Sequence, residues 1–380
     1  MSYLHIDIQS IQSPKYRGSA CGDVVGFERD KNSTTIVLSD GIGSGIKANI
    51  AANLCVSRIL TLIRNGATLR EAFTALVNTM NKAWGTDKPF AVFTLARILN
   101  NGDTTILSYE IPPPILISGR KAKILTDRIY TIGKAVISET NCNIEKNDGL
   151  LLVSDGITQA GMGMGLLNGW ETEGIVKYLN TKLIENTKLE ALAEKIHSKA
   201  RKLWGNSKGD DCTVLYAQYR NGVVVNLITG PPASKNEDSK IVTDFFQSDG
   251  IKIVCGGSTA KMVARELRKP LHINTENQSI ITPPSYEIPN INLVCEGVVT
   301  LNQVYNILDE DISEVSNSSP VYALVEYLRL ADRINFWIGD AKNIGESNIE
   351  FRQQGLLPRH KITALLVQKL KQMGKLVVIQ

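Results

Sequence analysis

The chain has 380 residues, with 42 Lys and Arg against 38 Asp and Glu for a formal charge of +4, and it is 43% hydrophobic. That composition excludes a disordered chain and suits two globular domains. A charge so small for its length gives no footprint for nucleic acid. No uninterrupted apolar run reaches the roughly 18–20 residues that span a bilayer, so no membrane partner is expected.

The first half reads as short strands with helices inserted. Thr35 to Ser39 is a β-branched strand that stops at Asp40-Gly41, and a glycine-rich turn, Gly41-Ile42-Gly43-Ser44-Gly45, follows it. Apolar residues then recur at helical spacing from Ile46 to Asn65 and from Leu69 to Ala83. Phe90–Leu99 and Thr104–Tyr109 read as a hairpin around Asn100-Asn101-Gly102-Asp103. Pro112-Pro113-Pro114 marks an edge or loop before a strand at Ile115. Leu150 to Ser154 repeats the earlier pattern, a strand ending at Asp155-Gly156. Thr187–Leu203 reads as a helix and Cys212–Gln218 as a strand. Strands grouped with helix pairs, rather than strict alternation, indicate an α+β sandwich over residues 1–221.

Beyond Gly222 the pattern becomes strand, turn, helix, repeated, which indicates a smaller α/β domain over 222–380 with a largely parallel sheet. Its expected strands are Val223–Ile228, Ile251–Cys255, Ile291–Cys295 and Lys375–Ile379. Its expected helices are Ser239–Gln247, Ser258–Leu267, Leu301–Leu308, Val321–Ile338 and Ile362–Met373. The start Met1-Ser2-Tyr3-Leu4 lacks the features of a secretory signal. The six cysteines stand singly, with no Cys-x-x-Cys pair, which suits a reducing compartment. A cytoplasmic location is the expectation.

Four acids sit beside glycine near a strand end or turn: Asp23, Asp40, Asp155 and Asp210, the last followed by Asp211. Hard divalent cations take oxygen ligands, and carboxylates crowded at one sheet end need a cation to neutralise them. Asp-Gly is also an ordinary turn dipeptide. Two such pairs, each after Leu/Val-Ser at the end of an apolar strand, make the stronger signal.

Val37-Leu38-Ser39-Asp40-Gly41-Ile42-Gly43-Ser44-Gly45, Leu152-Val153-Ser154-Asp155-Gly156-Ile157 and Gly209-Asp210-Asp211-Cys212-Thr213-Val214 resemble the signature motifs of SpoIIE-type bacterial protein phosphatases. These form a branch of the PPM, or type 2C, class. Cys21-Gly22-Asp23-Val24 resembles the upstream Ser-Gly-Asp element, and the triple proline a Pro-rich strand start. The resemblance covers roughly the first 220 residues. It implies a ββ sandwich flanked by helices with two Mn²⁺ or Mg²⁺ ions at one end. It also implies that these ions activate a water for in-line attack on phosphoserine or phosphothreonine of a regulatory protein. On that resemblance Asp40 bridges both ions, the Gly41 carbonyl ligates one, Asp155 and Asp210 complete a site, and Asp23 lies beside the cluster. Asp211 is the alternative to Asp210.

The chain departs from the pattern at Tyr109-Glu110-Ile111, where many relatives carry Gly-His, and none of its histidines falls in a motif. Arg17 and Lys47 lie near motif segments, within reach of a phosphate or as plain surface residues. Gly161 to Trp170, with four glycines in its first nine residues, reads as a flap beside the site or an irregular loop. In the second domain, Gly256-Gly257-Ser258 at a strand–helix junction reads as a site for a small anionic ligand or as a helix cap. Glu296-Gly297 faces the same crevice. Partner docking and homodimerisation are the other roles for this domain. Two further functions keep the same N-terminal site: a catalytically degenerate scaffold, and a hydrolase of a small phosphorylated molecule.

Overall fold

A computed structural model of the protein describes residues 3–83, 90–185, 187–205, 209–274, 285–312, 315–317, 319–341 and 355–380. The chain divides into two compact units, Leu4–Asn221 and Gly222–Gln380, with Tyr3 joining the second.

The first unit runs β1 (Leu4–Ser13), β2 (Asp23–Arg29), β3 (Ser33–Gly41), α1 (Ile46–Arg64), α2 (Leu69–Ala83), β4 (Ala91–Leu99), β5 (Asp103–Tyr109) and β6 (Ile115–Ser118). It continues with β7 (Lys121–Ile124), β8 (Arg128–Ile132), β9 (Ala135–Asn143), β10 (Gly149–Val153), α3 (Asp155–Thr158), α4 (Glu171–Ile184), α5 (Leu192–Trp204) and β11 (Cys212–Asn221). Two antiparallel sheets form, ordered β1-β11-β10-β6-β7 and β2-β3-β4-β5-β9-β8. Ile36, Leu38, Leu150, Leu152 and Leu215 fill the space between them. Val37, Leu95 and Leu107 face outward and pack under α1 and α2. Leu151, Val153 and Val214 do the same under α4 and α5. Strands buried on both faces lose the alternation of a half-exposed strand, which is why β3 and β10 read as continuous apolar runs.

Helix α1 is long and apolar enough, by length and composition, to cross a membrane, and is the one such helix among the described residues. It is not an uninterrupted apolar run, since Lys47, Asn49, Asn53 and Arg58 fall within it. Its Ala48, Ala52, Cys55, Val56, Ile59 and Ile63 are buried in the core.

The second unit runs β12 (Val224–Thr229), α6 (Asp238–Gln247), β13 (Ile251–Cys255), α7 (Gly257–Glu266), β14 (His272–Asn274), β15 (Ser285–Glu287) and β16 (Leu293–Cys295). Then follow α8 (Val298–Ile307), α9 (Pro320–Leu330), β17 (Arg333–Ile338), α10 (Arg359–Gln372) and β18 (Leu376–Ile379). Five strands are parallel in the order β16-β13-β12-β17-β18, and β15 and β14 extend one edge antiparallel. Helices lie on both faces. Ile228, Val254 and Trp337 pack with α6 and α7, whereas Leu227, Ile253 and Phe336 pack with α8, α9 and α10.

Three expectations need correction. Val321–Ile338 is not one helix, because α9 ends at Leu330 and β17 begins at Arg333. At the break the Asp332 carboxylate accepts the Val223 N–H at 2.8 Å. Beyond it, Ile334 and Phe336 alternate with Arg333 and Asn335 at strand period. The helix expected from Thr187 starts only at Leu192, after a 3₁₀ turn at Leu189–Ala191. At α7, neither Ser258 nor Thr259 is the cap: Gly256 holds that position at φ +115° with no side-chain cap bond.

Candidate functional site

Strand pairing sets the first two acids. In the β2–β3 ladder Asp23 lies directly opposite Asp40, and directly opposed side chains project from the same face of a sheet. Gly41 is required here for packing: a Cβ would run into the Ala48 carbonyl oxygen at the start of α1. Asp155 opens α3, immediately after β10. The Trp204 indole N–H donates to the Gly156 carbonyl at 2.9 Å, and a Cβ on Gly156 would strike the Asp211 carbonyl. Asp210 and Asp211 lead into β11, with the Asp211 N–H donating to Asp210 Oδ1 at 3.0 Å.

These five acids gather in one neighbourhood. Burial, and then the charge of Asp23 and Asp155, push the Asp40 carboxyl up to about 10. Asp40 shares a hydrogen bond with Asp155, whose own pKa is raised by burial and by Asp210. Asp23 is 2% exposed, neither carboxylate oxygen has a hydrogen-bond partner, and burial pushes it up to about 6. The nearby Thr213 and Ser154 hydroxyls offset part of that rise. Like charges out of water favour the protonated form of some members of the group.

Two partners escape sequence reasoning. Gln159 Nε2 donates to Asp155 Oδ2 at 2.9 Å. Lys15, on the loop after β1, places Nζ 3.4 Å from Asp210 Oδ1, and its backbone N–H donates to Asp211 Oδ1 at 2.8 Å. Lys15 and Asp210 are 195 residues apart, so only proximity to the Cys21-Gly22-Asp23 motif could have flagged the lysine. Among the described residues no three His, Cys, Asp or Glu side chains stand ready as ligands around one point. The acids are turned instead toward one another, Gln159 and Lys15.

Cys21 and Cys212 do lie nearby, with thiols pushed up to about 12, chiefly by burial, so they behave as packed rather than nucleophilic groups. His197 bonds the Ser13 hydroxyl at 2.9 Å. In the glycine-rich segment after α3, Gly161, Gly163, Gly165 and Gly169 all take positive φ, and Met162, Met164 and Leu167 are exposed.

The family model of stage II sporulation protein E (SpoIIE) matches residues 30–220, half of the chain. The chain belongs to the SpoIIE family. Solved structures similar to this SpoIIE-family chain include the RsbU and RsbW domains of Rv1364c from Mycobacterium tuberculosis. That pair is 17% identical, with 64% of this chain and 68% of that one covered and a TM-score of 0.49. The phosphatase domain of the cell-fate determinant SpoIIE from Bacillus subtilis is 16% identical, covering 58% of this chain and 95% of that one, TM-score 0.44. RsbX in complex with magnesium is 17% identical, covering 58% of this chain and 100% of that one, TM-score 0.41. No curated protein matches the chain.

The SpoIIE family implies Mg²⁺ or Mn²⁺, and the residues present fit such ions. The donors are carboxylate oxygens, the atoms these cations prefer. Both oxygens of the buried Asp23 lack a partner; burial and then the neighbouring acids raise the Asp40 and Asp155 pKa values, and a cation would relieve that repulsion.

Proposed function

We propose that the SpoIIE-type unit is a metal-dependent phosphoserine/phosphothreonine protein phosphatase acting on a regulatory phosphoprotein in the cytoplasm. The observation that carries this reading is the gathering of Asp23, Asp40, Asp155 and Asp210 from separate strand ends into one partly buried, mutually repelling group. Asp23, Asp40, Asp155, Asp210 and the Gly41 carbonyl are the proposed oxygen donors for two Mg²⁺ or Mn²⁺ ions, with Asp211 as the alternative to Asp210. When bound, such ions polarise a water as nucleophile and offset charge on the phosphoryl oxygens.

The rest is the work of the protein. Gln159 holds the Asp155 carboxylate through Oδ2. The β2–β3 pairing fixes Asp23 against Asp40. Partial burial weakens the screening of the group by bulk water. As a ligand Asp40 would have to be deprotonated, so ion binding would release protons and strengthen with pH.

Purified full-length protein should release phosphate from a phosphoserine peptide with Mn²⁺ and lose that activity, by a factor of a thousand or more, in Asp40→Ala. Full turnover by Asp40→Ala would overturn the assignment. Calorimetric Mn²⁺ binding without turnover on any phosphopeptide would instead favour the degenerate scaffold. Turnover confined to nucleotides or sugar phosphates would favour a small-molecule hydrolase.

A further inference from the structure

The second unit contains a crevice that the N-terminal chemistry does not use. In chain order its parallel strands run 3-2-1-4-5 across the sheet. The chain therefore leaves β12 in one direction and β17 in the other, and the helices that follow pack on opposite faces, α6 on one and α10 on the other. Open α/β sheets bind ligands beyond the carboxyl ends of the strands at this reversal point. A cavity of about 560 Å³ lies there, against the ends of β12, β17 and β18 and one side of α6. That volume suits a ligand of nucleoside size. It lies one strand away from the Gly256-Gly257-Ser258 turn, which follows β13.

The walls are already fixed. The Gly230 N–H donates to Thr259 Oγ1 at 2.8 Å, the Gly339 N–H to the Thr229 carbonyl at 3.0 Å, and the Ala341 N–H to the Pro231 carbonyl at 3.1 Å. Pro231 and Pro232 have no N–H to offer. The guanidinium of the buried Arg359 donates to the Gly339 and Ala341 carbonyls and is not among the groups lining the cavity. A phosphate or pyrophosphate needs several backbone N–H groups left over to cradle it, and here those of Gly230, Gly339 and Ala341 are engaged and Pro231 and Pro232 have none. Among the described residues the remaining lining is apolar and acidic. Ile228, Ile241 and the half-buried Trp337 indole form the apolar surface, and the charged groups are Glu237 and Asp244 against Lys240. Phe245 packs edge-on to Trp337 with centroids 5.5 Å apart and fixes the ring.

We propose that this crevice binds a neutral or cationic heteroaromatic compound of nucleoside size, stacked on Trp337, with its hydroxyl or amino groups donating to Glu237 and Asp244. This site is separate from the anionic ligand expected at Gly256-Gly257-Ser258, and it stands independently of the phosphatase reading.

The test is calorimetric and ligand-observed NMR titration of the full-length protein. The probes are adenosine (neutral) and tryptamine (cationic), with ADP and inorganic phosphate as anionic counterparts. Binding of at least one of the first two is expected, with ADP at least tenfold weaker than adenosine. Trp337→Ala should abolish the binding. Asp244→Asn, on the exposed side of α6 and harmless to folding, should weaken it several-fold. Failure of both adenosine and tryptamine to bind overturns the proposal. So does tighter binding of ADP or phosphate, or unchanged affinity in both variants.

Discussion

The two units solve the placement of a pocket in opposite ways. In the SpoIIE-type unit, antiparallel strand ends carry acids to one place and leave them repelling one another, with Asp40 and Asp155 sharing a hydrogen bond and Asp23 unpartnered. In the C-terminal unit a parallel sheet opens a crevice at its reversal point, and the Gly230, Gly339 and Ala341 N–H groups beside it are engaged. Crowded acids that repel one another would be relieved by a cation. A site with its amides engaged and an indole in its wall is built for a ring.

The largest effects should separate the units. A Cβ at Gly41 runs into the Ala48 carbonyl, and one at Gly339 runs into the Gly230 and Pro231 carbonyls. Backbone clashes of this kind have no side chain to move aside, so each substitution should cost about 3 kcal/mol or more. Scanning calorimetry should show Gly41→Ala lowering the transition of the SpoIIE-type unit and Gly339→Ala that of the other. A single transition shifted equally by both would break the contrast.

Next in size is Asp40→Asn. It should remove phosphatase activity while raising the melting temperature of the EDTA-treated protein, because it removes one of the repelling carboxyls. A fall in that melting temperature would show that the acids are not in conflict. The pH response follows from the same shifts. Asp23 and Asp40 have folded pKa values above the unfolded value of 3.8, at about 6 and about 10. At these two sites the folded, metal-free protein therefore holds more protons than the unfolded chain, and their contribution to stability is full below about 4 and declines as pH rises. Melting curves in EDTA between pH 5 and 9 should fall, and Mn²⁺ should flatten them.

Much of the N-terminal site was legible because its acids follow apolar strands that stop abruptly, as at Leu38-Ser39-Asp40 and Val153-Ser154-Asp155. The short polar strands β7 and β8 were not, since Lys121–Ile124 and Arg128–Ile132 are largely exposed and carry little apolar pattern. Strand β17 was hidden behind the helical pattern of α9, from which only Ala331-Asp332 separate it. Its loss concealed the sheet order, and with it the reversal point. Periodicity reports which face of a segment is buried, not which strand lies beside it.

The smallest effect concerns Lys15. Its ammonium, 3.4 Å from Asp210 with both side chains partly exposed, is worth about 0–1 kcal/mol. Lys15→Met should cost the metal-free protein no more than that and tighten Mn²⁺ several-fold by removing a competing cation. Unchanged metal affinity would leave the lysine as surface decoration.

The β2–β3 turn also acts as a gauge for the pocket. The Asp30 carboxylate accepts from the Asn32 and Ser33 N–H groups and from the Ser33 hydroxyl, which sets where the hairpin reverses. Asp23 and Asp40 meet at the other end of that hairpin, about 20 Å away along seven residues of β2. Slipping the ladder by one residue would turn Asp23 to the opposite side of the sheet. A tight bend with no part in the chemistry therefore decides whether two carboxylates face each other at all.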